Sequence, residues 1–500
     1  MKKIFTLLLV AMTAVVARAT DYIVPVRVVV NDVTTEQLGE FSIVENDGLY
    51  DISLKNFMLD SENGPMGVGN VELKGVQPYQ DGKATLFVTE KEVTITDGDD
   101  PNVVYWMAGM LPPVNVLLRG KIEDEHLYMN LYIDLMETMD QIIQVTVGEG
   151  YQMPNPGFEL WHPSDETHVE PDGWHSFETA TGALAAFGGH HLTKSKNAHS
   201  GEACARIYSS SILGIVANGT MTTGRLNADA MIATDPANNA YLDTSMPELD
   251  GAGKPFYIPL YSRPDSIAVW VRFRQGSVNP DHPYANISAV ITDGTYYQDP
   301  EDKVYTNVVA KAKNDKIATT DGEWVRVTAP FVYTENDVEP QAILVTISTN
   351  ADAGQGSDGD EVLVDDIELI YNAKVTGLKI NGQDVPGFSP DVFEYEMELE
   401  QGVTTEDIEV VVEGQSTHVI KDVSFIDSNV CTVMALGGDM KHMSTYVIRE
   451  KGSGTGIRSI KTPAGQSTYY TLDGRQAKTL APGRIYIRRQ ADGTVTKILR

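Results

Sequence analysis

The sequence predicts an all-β chain of several small domains, and three observations predict it. Nearly every ordered-looking stretch is a short alternating or β-branched run closed by Gly, Asp, Asn or Pro. Apolar residues at the 3.6-residue helical spacing are rare. Five hundred residues also exceed what one hydrophobic core can serve, so about three or four domains are expected.

From the beginning of the chain, Lys2 and Lys3 form a basic start, Ile4 to Val16 an apolar stretch and Ala17-Arg18-Ala19 a small-x-small site, which together read as a signal peptide over residues 1–19. The apolar stretch is shorter than the roughly 20 residues a spanning helix needs, and no later segment approaches that length, so no transmembrane span is expected. No cysteine follows the predicted cleavage site to carry a lipid anchor. Seventy acidic against 38 basic residues give a net charge of −32. That balance disfavours nucleic acid as a partner, because binding to a phosphate backbone draws on Lys and Arg releasing counterions. Its plainest consequence is solubility outside the cell. Cys204 and Cys431 each lie in an apolar run of a different predicted domain, so both read as small buried hydrophobes and not as a disulfide, reactive thiols or metal ligands.

Residues 20–149 hold roughly eight strand-like runs, a number and spacing that suit a small β-barrel. The string YDISLKNFMLDSENGPMGVGNVELKGV, with LPPVNVLLRGKIEDEHLYMNLYIDL after it, resembles the calycin-like β-barrel domain of exported proteins from gut Gram-negative bacteria. Such barrels can hold a small apolar ligand, but an eight-stranded barrel can equally be filled by its own side chains.

Residues 150–372 open with NPGFELW at Asn155 to Trp161 and end on VLVDDIELIY at Val362 to Tyr371. Strands such as SIAVWVRFR, ANISAVITDG, EWVRVTAPFVY and AILVTISTN lie between them, as in a jelly-roll β-sandwich of one domain. The N-x-x-F-E opening, the P-x-G-W turn at Pro171 to Trp174, the H-S-G at His199 to Gly201 and the closing V-D-D-I-x-L strand resemble carbohydrate-binding modules of the galactose-binding-like type. More closely, the segment resembles the carbohydrate-metabolism domain of secreted gut-bacterial proteins, although TNADAGQGSDGDEVLVDD before its last strand is shorter and more acidic than that family's pattern.

Residues 373–451 resemble the small Ig-like or cadherin-like sandwich that follows such modules, and read as a spacer. Residues 452–464, entered through the KGSGTG run of Lys451 to Gly456, read as a flexible linker. The tail, 465–500, belongs to a basic stretch from Gly456 with nine basic and two acidic residues. Its YYTLDGRQ…GRIYIRR…TKIL pattern resembles a type IX sorting domain; a plain capping β-hairpin module fits as well.

Four of the five tryptophans, Trp161, Trp174, Trp270 and Trp324, fall in the middle segment, and the fifth is Trp106. A flat indole can bury the C–H face of a pyranose while polar neighbours bond its hydroxyls. Trp270 alternates with Arg272 and Arg274, so one strand face would present an indole and two forked donors as a carbohydrate-binding strip, while Ile267, Val269, Val271 and Phe273 face the core. Trp174 is the remaining sugar-contact candidate, and the resemblance places it as a plug of the core. The same resemblance implies a structural Ca²⁺ joining the first and last strands, with Glu159, Asp366 and Asn155 as ligands and Asp365 nearby; the alternative is that these carboxylates satisfy backbone donors. The acidic loop of Asp352, Asp358 and Asp360 lacks calcium-loop spacing and reads as a solvated turn. His190-His191 has no third ligand at metal spacing and also reads as a solvated loop.

No catalytic motif is present: there is no G-x-S-x-G, H-E-x-x-H, paired C-x-x-C or phosphate-cradling loop. The leading expectation is an exported glycan-binding accessory protein with polysaccharide as partner, placed at the outer-membrane surface, outside the cell or in the periplasm. One alternative is a glycoside hydrolase working through two carboxylates of the sandwich, one with a raised pKa. The other is a structural or adhesive surface protein, favoured if all four middle tryptophans are buried.

Overall fold

The computed structural model describes residues 18–451, apart from 31–32, 60–63, 136–140, 166, 213, 401 and 425–429, together with four short strands in the tail. Nearly all of the predicted signal peptide and the whole 452–464 linker lie outside the described residues. The chain is all-β, and its helical pieces among the described residues are 3-10 turns of three residues. The tail strands Thr468–Tyr470, Gln476–Ala477, Ile485–Arg489 and Val495–Leu499 form one antiparallel sheet.

The first domain is a curled antiparallel sheet of nine strands: β1 (Arg18–Val30), β2 (Val33–Asn46), β3 (Leu49–Leu59), β4 (Met66–Val76), β5 (Pro78–Asp81), β6 (Ala84–Val93), β7 (Val114–Glu123), β8 (His126–Leu135) and β9 (Gln141–Val147). The order is β4-β3-β2-β1-β9-β8-β7-β6-β5, so β1 and β9 close the ends of the chain segment onto each other. The two outer edges do not pair. The segment after β6 instead hydrogen-bonds to β4, through Asn70 N to Thr96 O at 2.7 Å and Met107 N to Gly67 O at 2.8 Å. Gly69 permits this closure, since at φ +129° a Cβ there would stand 2.1 Å from Thr96 O. Trp106 lies against Gly67 and Gly98, a packing role. The interior is filled by Val26, Val28, Phe41, Ile52, Leu54, Val116, Leu118, Leu131 and Val145.

The middle domain is a sandwich of two antiparallel sheets. One runs Leu192–Ser195 (β12), Cys204–Tyr208 (β13), Glu361–Ile370, Ser266–Arg274, Val325–Pro330; β10 (Trp161–Pro163) and β11 (Val169–Pro171) form a separate hairpin before it. The other runs Thr220–Thr222, Ala342–Ser348, Ala285–Thr292, Val308–Ile317, Val332–Tyr333. Ile267, Val269, Val271 and Phe273 point into the shared core with Ile287, Ile347 and Val364, as their alternation predicts.

Strands of residues 374–450 make a third, smaller two-sheet sandwich around Val375, Leu378, Cys431, Val433, Tyr446 and Ile448. The sequence suggested a spacer, but this domain docks. Ala84, Leu86, Tyr128 of the first domain, Tyr151 of the second and Ile420, Leu436, Met440 of the third form one buried cluster. Asn130 Nδ2 donates to Asp439 O at 2.8 Å, Arg119 to Lys441 O at 2.8 Å, and Gln152 Nε2 to Asp439 Oδ2 at 3.1 Å. Strand β8 therefore buries both faces, Leu127, Met129 and Leu131 inward and Tyr128 and Asn130 under the neighbouring domain. The alternation of a one-sided strand gave no sign of this second contact.

Candidate functional site

The outer face of the Ser266–Arg274 strand carries the predicted strip. Its exposure alternates through half-buried Trp270 and Arg272 to exposed Arg274. Across the sheet, Arg272 is level with Leu363 and then Arg206, while Arg274 is level with Glu361 and then Tyr208. Arg274 Nε donates to Glu361 Oε1 at 2.9 Å, Arg206 Nε donates to Glu361 Oε2, and the Arg206 guanidinium lies 4.5 Å over the Tyr208 ring. Burial acts to raise the Glu361 pKa, but the two arginines outweigh it and hold the carboxyl below its usual value.

A groove of about 180 Å³ runs between these groups, lined by Ser195, Asn197, Arg206, Arg272, Arg274, Gly322, Glu361 and Leu363. Arg272 stands in it alone. Whereas Arg206 and Arg274 share Glu361, and Arg326 pairs with Glu368, no hydrogen bond or ion pair reaches the Arg272 guanidinium among the described residues. The turn at Gly322 comes within 3.8 Å of its Nη2, measured from the position a Cβ would take.

Trp270 is not the bare platform its spacing predicts. His199 stacks on it, ring centroids 3.9 Å apart and planes 16° apart, and Trp324 meets His199 edge-on at 5.8 Å. His199 Nδ1 is held by Asp366 Oδ2 at 2.6 Å. A register shift between Ala268 and Trp270, with Asp366 at φ 45°, places the two acids of the last strand against this loop. Asp365, fully buried, accepts from His199 N at 2.7 Å, Ser200 N at 3.3 Å and Asp366 N at 2.9 Å. Burial, with the Asp366 charge beside it, nevertheless pushes its pKa up to about 7.

The residues predicted to hold Ca²⁺ are engaged by protein donors. Glu159 Oε1 accepts from Glu202 N at 2.8 Å and Ala203 N at 3.1 Å, and Asp366 Oδ1 accepts from Ser200 Oγ at 2.8 Å. Asn155, buried at φ 44°, spends its side chain on its own turn: Oδ1 accepts from Leu160 N at 3.0 Å and Nδ2 donates to Leu160 O at 2.9 Å. Glu159 and Asp366 thus fasten residues 199–203 with hydrogen bonds, whereas Asn155 fastens its own turn. Asp352, Asp358 and Asp360 are likewise loop fasteners, bonded to His282, Ser211 N and the N–H groups of Ser357 and Gly276.

Trp174 corrects a sugar-contact assignment. It is fully buried beside Phe158 at 5.5 Å between centroids, so it packs in the core and presents no face to solvent. Trp161, Trp270 and Trp324 remain half-buried, so the four tryptophans are not all interior. Cys204 and Cys431 are free and buried, and burial pushes their thiols up to about 12 and about 11.

No family model matches the chain, and no curated protein matches it. Two solved structures resemble it distantly. One, a candidate glycoside hydrolase from Bacteroides thetaiotaomicron, is 15% identical with a TM-score of 0.33, over 64% of this chain and 87% of that one. The other, a carbohydrate-binding module of the β-sandwich superfamily, is 11% identical with a TM-score of 0.20, over 66% of this chain and 97% of that one. At such scores neither superposition carries an argument about the site.

Two features lay beyond the sequence reading. The first is a cleft of about 420 Å³ where the barrel meets the sandwich, lined by Arg27, Glu36, Gln37, Glu149, Gln152, Lys254 and Tyr257 among others. Burial acts against the Glu36 charge, but Arg27 at 3.3 Å and Lys254 at 2.8 Å hold its pKa below the usual value; burial raises that of Glu149. The second is at His190. It is not an isolated loop histidine, because the fold sets it beside His168 and Glu178. Separations of ten and twelve residues match no short metal motif, so only the folded loops bring the three together. No helix among the described residues is long and apolar enough to cross a membrane.

Proposed function

We propose that this is an exported glycan-binding accessory protein whose sandwich holds an acidic saccharide in the Arg272 groove. One observation carries the reading: a half-buried guanidinium, five donors strong, with no protein acceptor among the described residues. Guanidinium cannot shed its charge to relieve that situation, so a carboxylate or sulfate of the ligand completes it, bidentately. Three arginines against Glu361 make the groove positive within a chain of net charge −32, which favours uronic-acid or sulfated sugars over neutral ones. Asn197 and Ser195 supply neutral partners for hydroxyls, and the Trp270–His199 stack provides an apolar wall nearby. The groove has the scale of a single sugar residue. The barrel and the third domain hold this face outward, and the basic tail serves export or display at the outer-membrane surface.

A glycan array probed with the full chain tests this. Selective capture of uronate- or sulfate-bearing glycans, weakened at least about tenfold (about 1.4 kcal/mol) by Arg272→Ala and less by Arg272→Lys, is the expected result. Absence of binding by folded protein to any glycan would sink the proposal. Running the array with and without Ca²⁺ also tests the implied ion: a calcium-dependent signal would mean that the ion replaces His199 and Ser200 as partners of Asp366.

The barrel–sandwich cleft favours glycoside hydrolysis as a second reading, because Glu36 and Glu149 are pushed in opposite directions, as a base or nucleophile and an acid are. Both carboxylates come from the barrel segment, residues 20–149, where it lines the cleft against the sandwich, and not from the sandwich itself as the sequence suggested. Release of aryl leaving groups from acidic glycosides, abolished by Glu149→Gln, would support it; equal release by that variant would rule it out.

A further inference from the structure

We propose that His168, Glu178 and His190 form a transition-metal site, best suited to Zn²⁺, that ties together three loops at the rim of the sandwich. One ligand atom from each lies within 4.8 Å of the others. His168 stands at the end of the β10–β11 turn, Glu178 in the 3-10 turn Phe177–Thr179, and His190 after the 3-10 turn Ala185–Phe187. The two imidazoles stack with centroids 3.4 Å apart, and Glu178 offers one oxygen to each: Oε1 to His190 Nδ1, and Oε2 at 3.8 Å from His168 Nδ1. Two imidazoles with a carboxylate are a donor set that zinc favours, whereas calcium and magnesium prefer all-oxygen surroundings. Bond lengths of roughly 2.0–2.2 Å put tetrahedral zinc ligands roughly 3.3 Å apart, which partly exposed side chains reach by small rotations.

Each ligand is also supported from behind, as metal ligands require. Asp165 Oδ2 contacts His168 Nδ1 at 2.7 Å, while its Oδ1 accepts from Thr167 N and His168 N at 2.6 and 2.8 Å, which fixes the turn. Glu170, wholly buried, accepts from Ser176 N and Ser176 Oγ at 2.6 Å each and from Thr179 at 3.1 Å, locking the turn that carries Glu178. His191, buried next to His190, anchors that strand entry to Tyr208 O at 2.7 Å. The adjacent histidines therefore divide their work, one holding the backbone and the other facing the cluster. Water remains for the fourth coordination position.

The test uses untagged, chelator-treated protein titrated with Zn²⁺ by calorimetry and with Co²⁺ by visible absorption. One equivalent of Zn²⁺ per chain and a tetrahedral Co²⁺ spectrum are expected. Affinity should fall at least about tenfold in His190→Ala and in Glu178→Gln. His282→Ala, which removes an imidazole paired to Asp352 elsewhere, should leave it unchanged. Because His190 is half exposed, its variant should melt like the wild type in chelator, and only the wild type should gain thermal stability from zinc. Binding below one equivalent, or wild-type affinity in His190→Ala, would overturn the assignment.

Discussion

Lys121 at the domain junction and Arg272 in the sandwich groove are both cations drawn out of bulk water, and they end differently. Lys121 is 1% exposed; its ammonium lies 2.8 Å from Glu123 Oε2 and 3.2 Å from His418 Nε2, and burial lowers its pKa. Arg272 has water on one side and no protein acceptor among the described residues on the other. Docking of domains covers its charges permanently, so each needs a partner at the moment of folding. A groove open to solvent has no such demand, and a charge can be kept there for a ligand. The residue types fit that division, since lysine can lose its proton when buried and arginine cannot.

The comparison breaks hardest at Asp439, the fully buried acid where the three domains meet. Asp439→Ala removes the partner of Gln152 and His442 and should cost about 3–5 kcal/mol in urea unfolding, with the third domain separating first. Arg272→Ala should do the opposite, changing stability by under about 0.5 kcal/mol while losing the glycan. An equally large stability loss would show that Arg272 is structural.

The pH dependence of the junction is a gentler test. Burial works to raise Asp439, but His442 and Lys441 hold it below its usual pKa. Its contribution is therefore complete above about pH 3.9 and lost as pH falls through the lower folded value. The hydrogen bond to Asp439 raises His442, so that contribution is complete below about pH 6.5 and lost as pH rises through the higher folded value. Melting temperature of the wild type should peak between about pH 4 and 6.5, and Asp439→Ala should flatten the profile. The smallest effect is expected from His199→Ala, which uncovers Trp270 and should shift tryptophan emission to longer wavelength with little change in stability. An unshifted spectrum would mean that the loop closes over the indole without the imidazole.

The legible parts of the fold were those set by period-two patterning. Ile267, Val269, Val271 and Phe273 were placed in the core, and Trp270, Arg272 and Arg274 on the outer face, by alternation alone. Burial of Cys204 and Cys431 was equally readable, since each lies in an apolar run. What alternation could not show was what covers an outer face. His199 reaches Trp270 from 71 residues away in sequence, and Glu361 takes Arg274 from 87 residues away. Of the predicted strip, only Arg272 was left unoccupied. The contacts of the third domain were hidden for the same reason, because Leu86 and Tyr128, which it covers, lie outside the barrel core on the outer side of their strands.

By itself the sequence determined the all-β class, the separate hydrophobic cores and the inward and outward sides of the principal strands. Those follow from local periodicity, which each strand carries within a few residues. Only the tertiary structure decided which charges are paired, that three domains share a buried junction, and that His168, Glu178 and His190 meet. Such facts depend on groups brought together by loops and sheet order, and a Coulombic or metal-ligand contact extends only a few ångströms once the chain is folded. A pattern along the chain records neither distance.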